Sequence, residues 1–404
     1  MRKFVLKNGL RVYLKERRDL NSISVNVWVK AGASYEREDN RGVAHFLEHV
    51  LFNESSKYKR GEIDRIVEEL GGEINAATSY DYTYYYINLP SSAGLRAVEL
   101  LSQLVCHPVI TDHSVEKEKP IVLEEISRSR DNPQELFAEK FMEELYERAP
   151  YRYPILGFPE TVKTFTKETL TEFYKSLYRP ERMSVVIVGN FDTGRALEEV
   201  EEHFGSFTAG GSLQPLNSPK EENLSSSGSF KLTHPAVSVP YVYLGWKLPP
   251  CSRDDVYYEI LDSLLSSGRS SLLYRYLRER GLVYAAYSNY QNLLFGSNYT
   301  VLVITERVDE ALKELRELLT HVLSISNDEF EFAKSKLLKG ELFGRESGEA
   351  EADAIGFAST VIEDEGYYTQ FFEDLKSADY SEFLKRVEFL KEEPLVGLLL
   401  PGTP

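Results

Sequence analysis

The chain has 404 residues, too many for one ordinary core and enough for two or more domains. Its net charge of −17, from 47 basic against 64 acidic residues, argues against nucleic acid or an anionic membrane surface as a partner. Two cysteines exclude a disulfide framework and a cysteine-based metal site, and nowhere do 18 apolar residues run together to span a bilayer.

The opening residues, Met1-Arg2-Lys3-Phe4-Val5-Leu6-Lys7, turn polar after three apolar positions, unlike a secretory signal, so a cytoplasmic protein is expected. Next in the chain, Ile23, Val25, Val27 and Val29 alternate with polar Ser24 and Asn26, broken only by Trp28, which is strand period. Residues 42–52 carry helical period, as do 64–70, 95–105 and 167–177, whereas 82–89 and 183–188 read as strands. A Gly-, Ser- and Pro-rich stretch at 206–229 breaks the pattern and predicts a linker between domains at 1–205 and 230–404. Beyond it, 239–246 reads as strand, and 257–265 and 308–323 as helix. The halves resemble each other: Gly72-x-x-x-Ala76-Ala77-x-Ser79 recurs as Gly281-x-x-x-Ala285-Ala286-x-Ser288, followed each time by a strand-like run and an amphipathic helix. Strands come in neighbouring runs, so an α+β fold of two homologous domains, each a mainly antiparallel sheet packed with helices, is predicted.

One segment carries chemistry. In Gly42-Val43-Ala44-His45-Phe46-Leu47-Glu48-His49-Val50-Leu51-Phe52 nothing breaks a helix. On it, His45 and His49 lie about 40° apart around the axis and Glu48 about 60° to the other side of His45, so all three share a face. Two imidazoles one turn apart can grip a single zinc ion. The adjacent carboxylate is then placed to take a proton from water polarised by the metal. The bland alternative is a helix with two unrelated histidines. With seven histidines in the chain, a chance H-x-x-E-H arises on the order of once in a hundred such sequences. The apolar flanks argue further for a paired or metal-bound set, because unpaired polar groups among them cost free energy.

Two histidines do not complete a zinc site, and a carboxylate from another helix is expected. In Val115–Ile126, Glu118 and Glu125 are two turns apart on one face, about 10 Å along the axis, and Glu124 points some 100° away. Spacing alone leaves Glu124 and Glu125 both open, and a charge-rich helix is usually a solvated face. Pro120, between the two acids, predicts a kink or a fresh start of the helix.

H-x-x-E-H reverses the H-E-x-x-H zinc motif and resembles the inverzincins of the pitrilysin family, which includes insulin-degrading enzymes and processing peptidases. In that family the third ligand is a Glu roughly 76 residues past the second His, within an E-x6-E pair; Glu125 lies 76 beyond His49, with Glu118 seven before it. The resemblance therefore implies Glu125 as the ligand and Glu118 as an acid that orients a ligand or supports catalysis. It covers almost the whole chain. Leu6-Lys7-Asn8-Gly9-Leu10-Arg11-Val12 looks like the family's opening strand turn, and Gly72-x-x-Asn75-Ala76-x-Thr78 like its substrate-binding edge strand. Leu277-Arg278-Glu279-Arg280-Gly281-Leu282-Val283-Tyr284 resembles a segment whose Arg and Tyr face the active site. Read from the residues alone, Arg278 could equally be a helix C-terminal charge and Tyr284 a core aromatic. The Arg278–Tyr284 interval is six, where many relatives have seven.

The resemblance implies a zinc endopeptidase with one Zn2+ per chain, Glu48 as base, Tyr284 as oxyanion donor, and Arg278 as a support for the substrate backbone. At the repeat offset His45, Glu48 and His49 correspond to Asp254, Tyr257 and Tyr258, so no second zinc is expected. Unstructured peptides would add as a strand to Asn75, Ala76 and Ala77. Full-length relatives enclose substrate between two halves of two domains each, and this chain resembles one half. It is therefore expected to pair, as a homodimer or, alternatively, a heterodimer. A non-catalytic partner subunit and a peptidase for targeting segments are the rival readings.

Overall fold

The computed structural model describes residues 1–208, 210 and 219–402. The opening turn lies between β1 (Arg2–Val5) and β2 (Arg11–Glu16), and the first residues with strand period form β3 (Ser22–Val29). The segment of helical period becomes α1 (Val43–Leu51), followed by α2 (Glu62–Glu69). The first copy of the repeat becomes β4 (Glu73–Thr78), paired with β5 (Thr83–Pro90). After α3 (Arg96–Cys106), α4 (Asp112–Asp131) and α5 (Pro133–Leu145), β6 (Met183–Gly189) completes a six-stranded sheet in the order β1-β2-β6-β3-β5-β4. All neighbours are antiparallel except β2 and β6. On the sheet's inner face Val12, Leu14, Val25, Val27, Val185 and Ile187 share a core with Phe46 and Leu47 of α1 and Leu101 and Leu104 of α3. Each such burial contributes roughly 1.5–3 kcal/mol.

The alternation that marks β3 as a strand does not leave one face wet: Ser24, Asn26 and Trp28 are buried as well. The cover comes from residues 344–368. Asn26 Nδ2 donates to Asp353 Oδ1 at 2.8 Å, the Ser184 hydroxyl bonds that of Thr360, and Glu351 pairs with Lys15 and Arg17. Gly356 lies on the Trp28 ring so closely that a Cβ there would come within 2.1 Å of Nε1. Asn26 of β3 is thus a hydrogen-bonding partner for a distant helix, and the Ser24 hydroxyl donates to Asn26 in turn, so this face is not solvated.

The second sheet is built from β7 (Gly228–His234), β8 (Tyr241–Leu248), β9 (Ala285–Gln291), β10 (Ser297–Ile304) and β11 (Leu395–Pro401), in the order β7-β11-β8-β10-β9. Only β7 and β11 are parallel. With β1 set aside, the two sheets are wired alike: first strand beside last in parallel, then the second, the fourth, and the third at the edge. The repeated Gly-x-x-x-Ala-Ala-x-Ser segments run into the same edge strands, β4 and β9. Duplication of one α+β domain is thus written in topology as well as in sequence.

Each sheet follows one sequence half, but the compact units are discontinuous. One comprises Met1–Arg128, Tyr153–Ser218 and Gly344–Tyr368, the other Ser129–Arg152, Pro219–Phe343 and Thr369–Pro404. In the second unit, Phe137 and Phe141 of α5 stack with Phe230 and Tyr243, and the backbone beneath them is Gly245 and Gly397. The buried Glu221 carboxylate accepts the Lys247 ammonium at 3.0 Å and the N–H groups of Arg148 and Ala149, which ties residues 148–149 to β8. Of the linker expected at 206–229, residues 209 and 211–218 lie outside the described residues. Among the described residues no helix is long and apolar enough to cross a membrane.

Candidate metal site

Six of the nine residues of α1, Val43, Ala44, Phe46, Leu47, Val50 and Leu51, enter the core, which leaves Glu48 and His49 on the remaining face with His45 at its margin. α4 crosses this face. Its Val115, Val122 and Ile126 anchor in the same core, and that places Glu118 and Glu125 toward α1. The fresh start that Pro120 predicts does not occur: α4 runs as one helix from Asp112 to Asp131 with Pro120 inside. The missing N–H costs one helical bond, and core anchors on both sides of it hold the helix through the gap.

His45 Nε2 lies 3.7 Å and His49 Nε2 3.4 Å from Glu125 Oε2. The two rings meet edge to face, 4.7 Å between centroids, and one donor atom from each of the three residues falls within 4.8 Å of the others. Donors about 2.0–2.1 Å from a tetrahedral zinc are separated by about 3.3 Å, so a two-imidazole, one-carboxylate set at these distances fits that ion. Spacing in sequence leaves Glu124 open as the third donor; in the fold Glu124 is exposed and Glu125 is the acid turned to the histidines.

Behind the donors, Glu118 is buried. Its carboxylate faces His49 Nδ1 at 3.7 Å, accepts Asn53 Nδ2 at 3.0 Å, and pairs with Arg60 Nη2 at 3.2 Å. Glu48 accepts the Thr78 hydroxyl, and the neighbouring Thr83 hydroxyl donates to the Ala31 carbonyl at 2.8 Å. Burial, then the neighbouring His49, pushes His45 down to about 4 and keeps it a neutral donor. Burial also opposes charge on His49, but Glu118 and Glu125 outweigh it and raise the ring to about 9. Burial raises the Glu48 carboxyl against the opposing Thr78 bond. Glu118 is buried too, yet its partners His49, Asn53 and Arg60 hold it below the ordinary carboxylate range, and His49 does the same for Glu125.

Asn75, Ala76 and Ala77 lie on β4, at the sheet's edge, opposite Tyr86, Tyr85 and Tyr84. Thr78, next along that strand, touches Glu48. Sequence reasoning set Thr78 in the edge-strand motif without a contact to Glu48, and gave no role to Asn53 or Arg60. Period 2 places Thr78 and Ala76 on one face of β4, but only the fold brings that face to α1. Arg278 and Tyr284 belong to the second unit and so are not grouped with the donors. Arg278 sits over the Tyr274 ring at 5.6 Å, and Tyr284 is 59% exposed rather than a core aromatic.

Residues 11–158 match the family pattern described as Insulinase (Peptidase family M16), and residues 164–337 match the one described as Peptidase M16 inactive domain. An uncharacterised zinc protease of Mycobacterium leprae is 31% identical over 342 residues, 84% of this chain and 76% of that protein. The chain belongs to peptidase family M16. A second uncharacterised zinc protease, from Bacillus subtilis, is 28% identical to this M16 chain over 85% of its length and 83% of its own. The fold of the M16 chain is that of a protease from Helicobacter pylori, with a TM-score of 0.91 over 99% of both chains at 24% identity. A Pseudomonas fluorescens structure titled as a peptidase M16 inactive domain gives a TM-score of 0.87 at 19% identity, over 100% of this chain and 98% of that one. His45, Glu48, His49, Glu118 and Glu125 all fall within the first match, Arg278 and Tyr284 within the second.

Proposed function

We propose that this M16 chain is a zinc-dependent endopeptidase acting on flexible peptides, with His45, His49 and Glu125 holding the metal and Glu48 moving the proton. The observation that carries the reading is the convergence of three donors from two helices beside a half-buried fourth side chain, Glu48. Zinc, when bound, supplies Lewis-acid polarisation of the scissile carbonyl and lowers the pKa of water to about 7. Glu118, whose carboxylate faces His49 Nδ1 at 3.7 Å, would receive the outer N–H of His49 and fix the tautomer that leaves Nε2 as the donor. Glu48 takes a proton from water and passes it to the leaving amine. Its raised pKa suits both directions of transfer better than an ordinary carboxylate would. The Thr78 hydroxyl holds the carboxylate in one orientation.

β4 is an edge strand, and its outward backbone groups, among them the Ala76 N–H that Asn75 Oδ1 now accepts at 2.9 Å, would pair with an extended peptide. Main-chain bonds are indifferent to side-chain identity, so loose sequence preference and a demand for unfolded substrates follow. Tyr284 would donate to the developing oxyanion and Arg278 would hold the substrate backbone. Glu48→Gln tests the proposal: the variant should bind zinc as the wild type does and lose peptide cleavage by about a hundredfold or more, read by mass spectrometry of a flexible peptide mixture. Cleavage at the wild-type rate would remove Glu48 from the mechanism. Absence of cleavage by the wild-type chain alone, restored by a second family member, would favour a partner subunit instead.

A further inference from the structure

Glu36 has no part in the mechanism above, yet it is 6% exposed and its carboxylate is committed to the start of α1. The Gly42 N–H donates to Oε2 and the Ala44 N–H to Oε1, each at 2.8 Å. A helix leaves its first N–H groups without partners, and an N-cap side chain ordinarily accepts from one of them. Here the N-cap is Gly42, which has no side chain to offer.

No larger residue fits there. Gly42 has φ +94, and a Cβ would come within 2.5 Å of the Leu156 carbonyl oxygen. Gly157, φ +74, presses from the other side: a Cβ on it would meet the Arg41 carbonyl oxygen at 2.3 Å and Gly42 Cα at 2.5 Å. The Thr161 hydroxyl donates to that same Arg41 carbonyl at 2.6 Å. Backbone packs on backbone at the helix start, so the capping acceptor sits six residues upstream, on Glu36.

The two imidazoles are held differently. Nδ1 of His49 faces Glu118, whereas Nδ1 of His45 is buried without a hydrogen-bond partner. Among the described residues none holds the His45 ring from its Nδ1 side, so its direction on that side follows from the backbone of the first turn of α1, one residue after the N–H that Glu36 holds. We propose that Glu36 is a positioning residue: it fixes the first turn of α1 and, through it, the bearing of the His45 imidazole on the metal. The proposal rests on His45 being a metal ligand.

The test is zinc affinity of the folded full-length chain, measured by competition with a chromophoric chelator. The temperature is one at which circular dichroism shows every variant folded. Glu36→Gln places an amide N–H2 against a backbone N–H and so breaks one of the two bonds; Glu36→Ala removes both. Leu104→Ala, in the core of α3, destabilises the same unit with the cap intact. Glu36→Gln is expected to lose about tenfold in zinc affinity, the lower end of what disturbed ligand support costs, and Glu36→Ala at least as much. Leu104→Ala should keep wild-type affinity. Glu36→Asp, with both oxygens one methylene short, should recover part of the loss seen in Glu36→Gln, and these two carry the test if Glu36→Ala does not fold. Wild-type affinity in Glu36→Gln, or an equal loss in Leu104→Ala, would overturn the positioning role. Failure of the underlying reading looks different: His45→Ala would then bind zinc as tightly as the wild type.

Discussion

Glu48, Glu118 and Glu125 are the same side chain, and their surroundings divide the labour among them. Burial raises Glu48 toward a proton-transfer role, while His49 holds Glu118 and Glu125 ionised. Glu118→Gln removes the charge behind His49 but keeps its size. It should weaken zinc binding by about 10- to 100-fold without displacing Glu48. Unchanged affinity in a chelator titration would show that Glu118 does not support the ligand. The H-x-x-E-H face was legible from sequence because its members are one turn apart on one element, and a helix fixes such neighbours locally. The carboxylate on α4 was not, since spacing left Glu124 and Glu125 both open and the resemblance favoured Glu125. The bond from Thr78 to Glu48 was invisible for the same reason: it crosses from an edge strand to a helix 30 residues earlier in the chain.

At the level of elements, periodicity located α1, β3, β5 and β6, and missed what covers them. Ser24 and Asn26 are polar, and no local signal says that a helix from the other end of the chain supplies the partner of Asn26, to which Ser24 is bonded in turn. That cover contains a titratable group. Burial first, and then the charge of Glu349, raises Asp353 from 3.8 to about 6, against the Asn26 bond. A raised folded-state pKa means that the protonated form is favoured on folding. The resulting stability is complete below pH 3.8 and is lost as pH rises through about 6. Asp353→Asn still accepts from Asn26 and does not ionise. Its stability relative to wild type should therefore grow by roughly 1–2 kcal/mol between pH 4 and pH 7, at ~1.4 kcal/mol per pKa unit discounted for partial exposure. Parallel denaturation curves at both pH values would show that Asp353 carries no such penalty. The Glu221 carboxylate has the same lesson for the residues just after α5: it accepts the Arg148 N–H across 73 residues of sequence, within a unit assembled from discontinuous segments.

Across the whole molecule, the four-residue repeat match announced a duplication that the two sheets repeat strand for strand. Only the first copy carries the imidazole pair; α1 has its counterpart in the helix Val256–Ser266, whose residues include no histidine. A two-domain chain with one candidate metal site among the described residues and a strand edge open to substrate is expected to work in pairs. Size-exclusion chromatography with light scattering should give an active species of twice 46.2 kDa, and full activity in a strictly monomeric fraction would contradict this. The central claim is the coordination sphere, and anomalous diffraction at the zinc edge from crystals of the zinc-loaded chain tests it most directly. The account predicts one peak per chain within about 2.0–2.2 Å of Nε2 of His45, Nε2 of His49 and a Glu125 carboxylate oxygen. A peak elsewhere, or one bound by the imidazoles with Glu125 out of reach, would contradict it.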